Sequence, residues 1–154
     1  MELTFYTDYA LRVLMYVALK RPQLCTIREM ATAYGISRNH LIKVVHRLAQ
    51  AGFLRTLRGK GGGVTLGRNP KDISIGEVVR YTEGPLRVAE CFRGPDNHCV
   101  ISTSCELARV LKEACDNFLA TLDRYTLEDL LVRHAALRKA LNMAVNKSCS
   151  ERLS

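Results

Sequence analysis

A chain of 154 residues is long enough for one packed domain with an appended element, and 47% apolar with 25% charged residues is globular composition, which excludes a disordered chain. The longest apolar run, Val13 to Leu19, is far too short to span a bilayer and follows Glu2, Asp8 and Arg12, the wrong flank for a secretory leader, so the sequence predicts a cytoplasmic protein with no membrane partner. The net charge of +8 is unevenly placed: residues 1–70 hold 11 Lys/Arg against Glu2, Asp8 and Glu29, and residues 71–154 hold 12 of each sign.

The first helix is expected from about Thr7 to Lys20, with Leu11, Leu14, Met15 and Ala18 on one stripe, and Pro22 ends it. Thr26 and Glu29 form a capping box for a short second helix that stops at Gly35. Ser37 is placed to cap a third helix, Arg38 to Ala51, closed by Gly52. Phe53 to Leu57 and Val64 to Leu66 read as two strands around the glycine-rich tip Arg58 to Gly63. After a loop at Asn69, Pro70 and Asp72, Ser74 and Glu77 form the capping box of a fourth helix. No period is visible from Gly84 to about Ser102. A long helix follows from about Ser104 to Arg124, and Thr126 with Asp129 opens a last helical stretch.

Two short capped helices, a tight turn, a third helix and a glycine-tipped hairpin are the order of a winged helix-turn-helix. The fold class expected is therefore mainly α with a small β-hairpin wing, plus a long helix. Leu41, Val44, Val45 and Leu48 share one face of the third helix. Arg38 at its start and Asn39, His40, Lys43, His46 and Arg47 on the opposite arc carry donors suited to base edges and phosphates. Arg58 and Lys60 on the wing are placed to reach phosphates or the minor groove. A basic half taken alone reads as a solvated face as easily as a polyanion site. With the turn, the helix and the wing in that same half, double-stranded DNA is the expected partner. The glycine-rich tip lacks the Lys-Ser/Thr pair opening a helix that a nucleotide cradle needs.

In a reducing compartment, six cysteines point to metal or redox chemistry more than to a disulfide frame. Cys91, Cys99 and Cys105 are spaced C-x7-C-x5-C in or beside the aperiodic stretch. The spacing leaves open an iron–sulfur cluster, a zinc site completed by His98, free thiols and a redox disulfide. Cys25, Cys115 and Cys149 are poorer candidates, and Cys115 lies on an apolar stripe. No Ser-His-Asp set, paired carboxylates or Cys-x-x-Cys appears, and His40, His46, His98 and His134 are scattered, so no enzyme is expected. On the long helix Leu107, Leu111, Ala114, Phe118 and Leu122 make a seam opposite Arg109, Lys112, Glu113 and Asp116. Such a seam suits a homodimer on a two-fold operator.

Over about residues 1–131 the sequence resembles the iron–sulfur-sensing winged-helix regulators, the family that includes IscR, RirA and NsrR. The matching segments are Leu3-Thr4, Thr7 to Ala10, Ser37 to Leu41, Arg58-Gly59 with Gly62-Gly63, Ile75 to Arg80, Thr82-Glu83, and Glu90 to Phe92 with the two cysteines that follow. Arg38 to Val45 and the carboxylate at Asp8 point within it to the nitric-oxide-sensing repressors; a regulator sensing iron or cluster supply is the alternative. The resemblance implies a 4Fe–4S cluster, with 2Fe–2S also open, held by Cys91, Cys99 and Cys105 with Asp8 of the other subunit as fourth ligand. Asp8 equally suits the first turn of a helix, beside its dipole. The organisation implied is a DNA-binding domain over 1–83, a cluster-binding loop over 84–105, a dimerisation helix with a short following helix over 106–131, and a variable tail over 132–154.

Overall fold

The computed structural model describes residues 2–143. Thr4, in extended conformation, accepts the Thr7 amide on its side chain and opens α1 (Phe5–Lys20), two residues earlier than the apolar stripe predicts. Ala10, Val13, Leu14 and Val17 of this helix have no exposed surface. α1 is therefore the central element of the core, packed against α3 (Arg38–Gln50), α4 (Ile75–Glu83) and the hairpin.

α2 (Ile27–Tyr34) opens with the capping box expected: the Glu29 amide donates to the Thr26 hydroxyl oxygen, and the Thr26 hydroxyl donates to the Glu29 carboxylate. It stops because Gly35 takes the left-handed conformation at φ 64°, which lets the Ile36 amide reach back to the Ala31 carbonyl. The chain then enters α3. Ser37 does occupy its N-cap position, but its side chain makes no capping hydrogen bond, which corrects the expectation for that residue. At the other end Gly52, at φ 78°, follows Ala51, and the Phe53 amide donates to the Leu48 carbonyl.

β1 (Leu54–Leu57) and β2 (Gly63–Leu66) pair antiparallel with Leu54 opposite Leu66 and Leu57 opposite Gly63. A third edge was not foreseen: Cys25, just before α2, exchanges both backbone hydrogen bonds with Val64 at 2.7 and 2.9 Å. A Cβ on Gly63 would stand 2.7 Å from the Cys25 carbonyl oxygen, so this approach requires glycine there. The wing is thereby tied to the chain entering the helix-turn-helix.

α4 opens at Ser74, whose hydroxyl accepts the Glu77 amide, and α5 (Glu106–Asp123) packs along it. A two-pronged pair joins them, Arg80 donating to both oxygens of Asp123 at 2.5 and 2.6 Å. Thr126 and Asp129 do cap each other, but they open only a 3-10 turn, Asp129–Leu131, before α6 (His134–Ala140). No helix among the described residues is long and apolar enough to cross a membrane.

Glu29 ties α2 to α1 through Lys20 and supplies an acid-sensitive contact. Burial alone would raise its carboxyl, but hydrogen bonds from Lys20 and from Thr26 outweigh that and hold it below its usual range. A carboxyl depressed in the folded chain contributes stability above its unfolded value, about pH 4.3, and loses it as pH falls through the folded value. Thermal unfolding between pH 6 and 3 should therefore show Tm falling at the acid end, less steeply in Glu29→Gln; identical slopes would remove Glu29 from the account.

Candidate nucleic-acid interface and cysteine loop

On α3, Leu41, Val44, Val45 and Leu48 are buried at 2% exposure or less. This buried stripe turns Arg38, Asn39, His40, Lys43, His46 and Arg47 outward, and all six are exposed. Arg58 and Lys60 are exposed too, on a tip that turns through Gly59 and Gly61 at positive φ. Two further residues share this outer surface and were missed by the sequence reading. Ile42, 43% exposed, stands among the polar residues of α3, where an apolar side chain can meet a thymine methyl group. Arg55 is exposed on β1, whose first residue alone is buried. The signal for Ile42 was present, since it falls outside the apolar stripe; nothing marked Arg55, because β1 does not alternate.

α3 is held from two sides. The Tyr81 hydroxyl of α4 donates to the Arg47 carbonyl at 3.0 Å, and its ring meets Phe53 edge-on at 5.8 Å. From α1, the Tyr6 ring lies under the Arg47 guanidinium at 5.1 Å, and the Tyr9 ring is 6.3 Å from His40. Phe5, Tyr6 and Tyr9 of α1 and His40, Lys43, Val44, His46 and Arg47 of α3 line one cleft of 590 Å3.

The segment between α4 and α5 is a chain of short 3-10 turns at Glu90–Phe92, Gly94–Asp96 and Ser102–Ser104. Cys91, Cys99 and Cys105 are free thiols, each half-buried. Cys91 and Cys105 line one cleft with Asn97, Ser102, Arg109 and Lys112, and Cys105 sits at the N-cap position of α5. Cys99 stands on the neighbouring turn, its amide bound to the Asn97 side chain at 3.0 Å. In ligand type this set fits a thiolate-held group, since soft sulfur donors favour iron–sulfur clusters, zinc and copper(I). Among the described residues no three Cys, His, Asp or Glu side chains gather closely enough to hold a metal ion. His98 is exposed beside Cys99, and its amide donates to Glu90 at 3.2 Å.

The other cysteines are placed differently. Cys25 is fully buried, and burial pushes its thiol up to about 12, so it stays protonated as a core residue. Cys115 is also buried, and Cys149 lies outside the described residues. Asp8 is in the first turn of α1, where its carboxylate accepts from Arg12 through two contacts of 2.9 and 2.8 Å while keeping 40% of its side chain exposed. Among the described residues Asp8 belongs to no group of three or more potential metal ligands.

Residues 3–133 match the model of the Rrf2 family, described as iron-dependent transcriptional regulators. The chain is 51% identical over 144 residues to the HTH-type transcriptional regulator NsrR of Bacillus subtilis, covering 93% of this chain and 99% of that one. Among solved structures, CymR, the global cysteine regulator of B. subtilis, superposes with a TM-score of 0.64 at 26% identity over 84% of this chain and 95% of its own. The IscR of T. potens superposes with a TM-score of 0.70 over 95% and 94%; at 22% identity that likeness speaks for the fold.

Proposed function

The chain belongs to the Rrf2 family of transcriptional regulators, and from that premise we propose a homodimeric repressor that binds two-fold operator DNA and releases it in response to nitric oxide. The signal is read at an iron–sulfur cluster, of 4Fe–4S or 2Fe–2S type, held by Cys91, Cys99 and Cys105 with Asp8 of the partner subunit. The observation that carries this reading is three free, half-buried thiols in one loop of a chain so similar to a regulator named NsrR. When bound, the cluster supplies irons open to attack by nitric oxide.

The chain's own residues do the rest. α3 enters the major groove of each half-site, Arg38, Asn39, His40, Lys43, His46 and Arg47 facing bases and phosphates, while Arg58 and Lys60 on the wing reach the flanking backbone. Asp8 offers a hard oxygen donor that exchanges more readily than thiolate. Its pairing with Arg12 holds it on the exposed face of α1, which leaves it available to a neighbouring chain. Joining the 84–105 loop of one protomer to α1 of the other sets the separation of the two recognition helices. Moving occupancy from 99:1 to 1:99 takes about 5.5 kcal/mol of differential affinity, which the change at the two bridging sites of the dimer has to supply.

Anaerobically purified protein should therefore be brown, and nitric oxide should bleach its visible band and lower operator affinity together. A colourless protein holding zinc, or affinity indifferent to nitric oxide, would falsify the reading. Asp8→Ala should still assemble a cluster, with an altered spectrum and weaker coupling to DNA, and Asp8→Cys should respond to nitric oxide more slowly. If both behave as wild type, Asp8 serves only in the first turn of α1, paired with Arg12.

The DNA face has its own test. Lys43→Ala should cost about 1–3 kcal/mol of operator affinity if it reads a base, with a changed preference at one position. For the parent protein log affinity should fall steeply with log salt as counterions are released. A flat salt dependence from low to physiological ionic strength would remove the electrostatic account of binding.

A further inference from the structure

The proposed dimer has apolar surface available beyond α5. The large apolar side chains exposed on α5 are Leu107 and Val110, 62% and 50% exposed, both in its N-terminal half, and Ala114 and Ala120 are exposed as well. Its C-terminal half is engaged in its own protomer, where Phe118, Leu119 and Leu122 pack against the core. Together the exposed side chains make a narrow apolar strip, whereas a specific interface buries about 800 Å2 per partner. Two other apolar features are exposed. One is the aromatic cleft between α1 and α3, with Phe5 at its mouth, 72% exposed. The other is Val100–Ile101, 95% and 61% exposed, on the turn that follows Cys99.

These two features sit beside the two halves of the proposed cluster site. Phe5, Asp8 and Tyr9 lie at i, i+3 and i+4, on one face of α1. Val100 is bonded to Cys99, and consecutive Cα atoms are about 3.8 Å apart. A contact that carries Asp8 to Cys99 of a partner's loop brings the face of α1 that bears Phe5 and Tyr9 close to the aliphatic pair. Within one protomer that pair is solvent-exposed, so the cleft is not filled from its own chain.

We propose that the cleft between α1 and α3 is the socket for Val100 and Ile101 of a second copy of this chain, each loop seating in the other's cleft; this rests on the reading of Asp8 as a ligand in trans. The seated pair lies against the rings of α1 that touch the recognition helix, Tyr9 beside His40 and Tyr6 beneath Arg47. Order in the cysteine loop then reaches α3 by packing as well as by ligation.

The test places the photo-crosslinker p-benzoylphenylalanine at Phe5, an exposed position, in the full-length protein prepared anaerobically. The expected product is a covalent dimer whose linked peptide contains Val100–Ile101. A link to any other segment, to operator DNA, or no interchain link at all overturns the proposal. The double variant Val100→Asp with Ile101→Asp keeps all three loop cysteines and alters only exposed side chains. It should retain the visible band of wild type, lose the crosslink, and show at least a tenfold smaller change in operator affinity on nitric oxide treatment. Switching of wild-type size in this variant overturns the docking while leaving the ligand assignment intact. A colourless wild type sinks the ligand assignment instead, and the crosslink still decides what fills the cleft.

Discussion

Phe53→Ala is expected to lower the free energy of unfolding by about 3–5 kcal/mol, the cost of emptying a large aromatic site in a packed core. Phe53 is 2% exposed, with the Arg68 guanidinium 4.6 Å above its ring and Tyr81 against its edge. For a chain of this length that loss corresponds to a Tm lower by roughly 6–20 °C. It should also weaken operator binding, because Tyr81, which packs on this ring, holds the Arg47 carbonyl at the end of the recognition helix. Phe53→Leu keeps most of the volume and should cost less than about 1.5 kcal/mol. Equal Tm values for Phe53→Ala and wild type, by calorimetry, would mean that the site collapses around the smaller side chain.

Leu107→Lys combined with Val110→Lys is expected to turn the proposed dimer into monomers. Each lysine would bring an unpaired charge into an apolar seam, and losing even about 3 kcal/mol weakens association more than 100-fold. Both side chains are exposed in the protomer, so the fold itself should be untouched. Sedimentation velocity at micromolar protein reads the outcome, and a species of unchanged dimer mass would move the interface away from α5. Leu111→Lys is the less clean probe, because Leu111 is already half-buried within its own chain.

Much of the fold was legible because its signals are local. The Thr26–Glu29 box and the Ser74 cap close within four residues, although the Glu77 carboxylate turns to Arg68 rather than back to Ser74, and Gly35 ends α2 through its own backbone freedom. The stripe Leu41, Val44, Val45 and Leu48 needs only helical geometry to turn six polar side chains of α3 outward. The uneven charge is likewise a property of composition alone. By these means the sequence by itself determined the order of a winged helix-turn-helix, its outward basic face and a cysteine-bearing loop ahead of a long helix.

The tertiary structure decided whatever depends on which distant segments meet. That Cys25 adds an edge to the wing follows from the close approach of Gly63, which no local pattern encodes. Ser37 has the residue type and position of a cap yet makes no capping bond, since a side-chain oxygen caps only when the incoming backbone aims it at the helix. The seam of α5 is one uninterrupted period in sequence. Packing divides it, because its C-terminal half covers the core while Leu107 at the other end stays 62% exposed. The aromatic cleft arises only where α1 crosses α3, from residues more than thirty positions apart. Capping and periodicity are set by bonds between near neighbours, whereas surfaces and sites are set by burial that the whole chain negotiates at once.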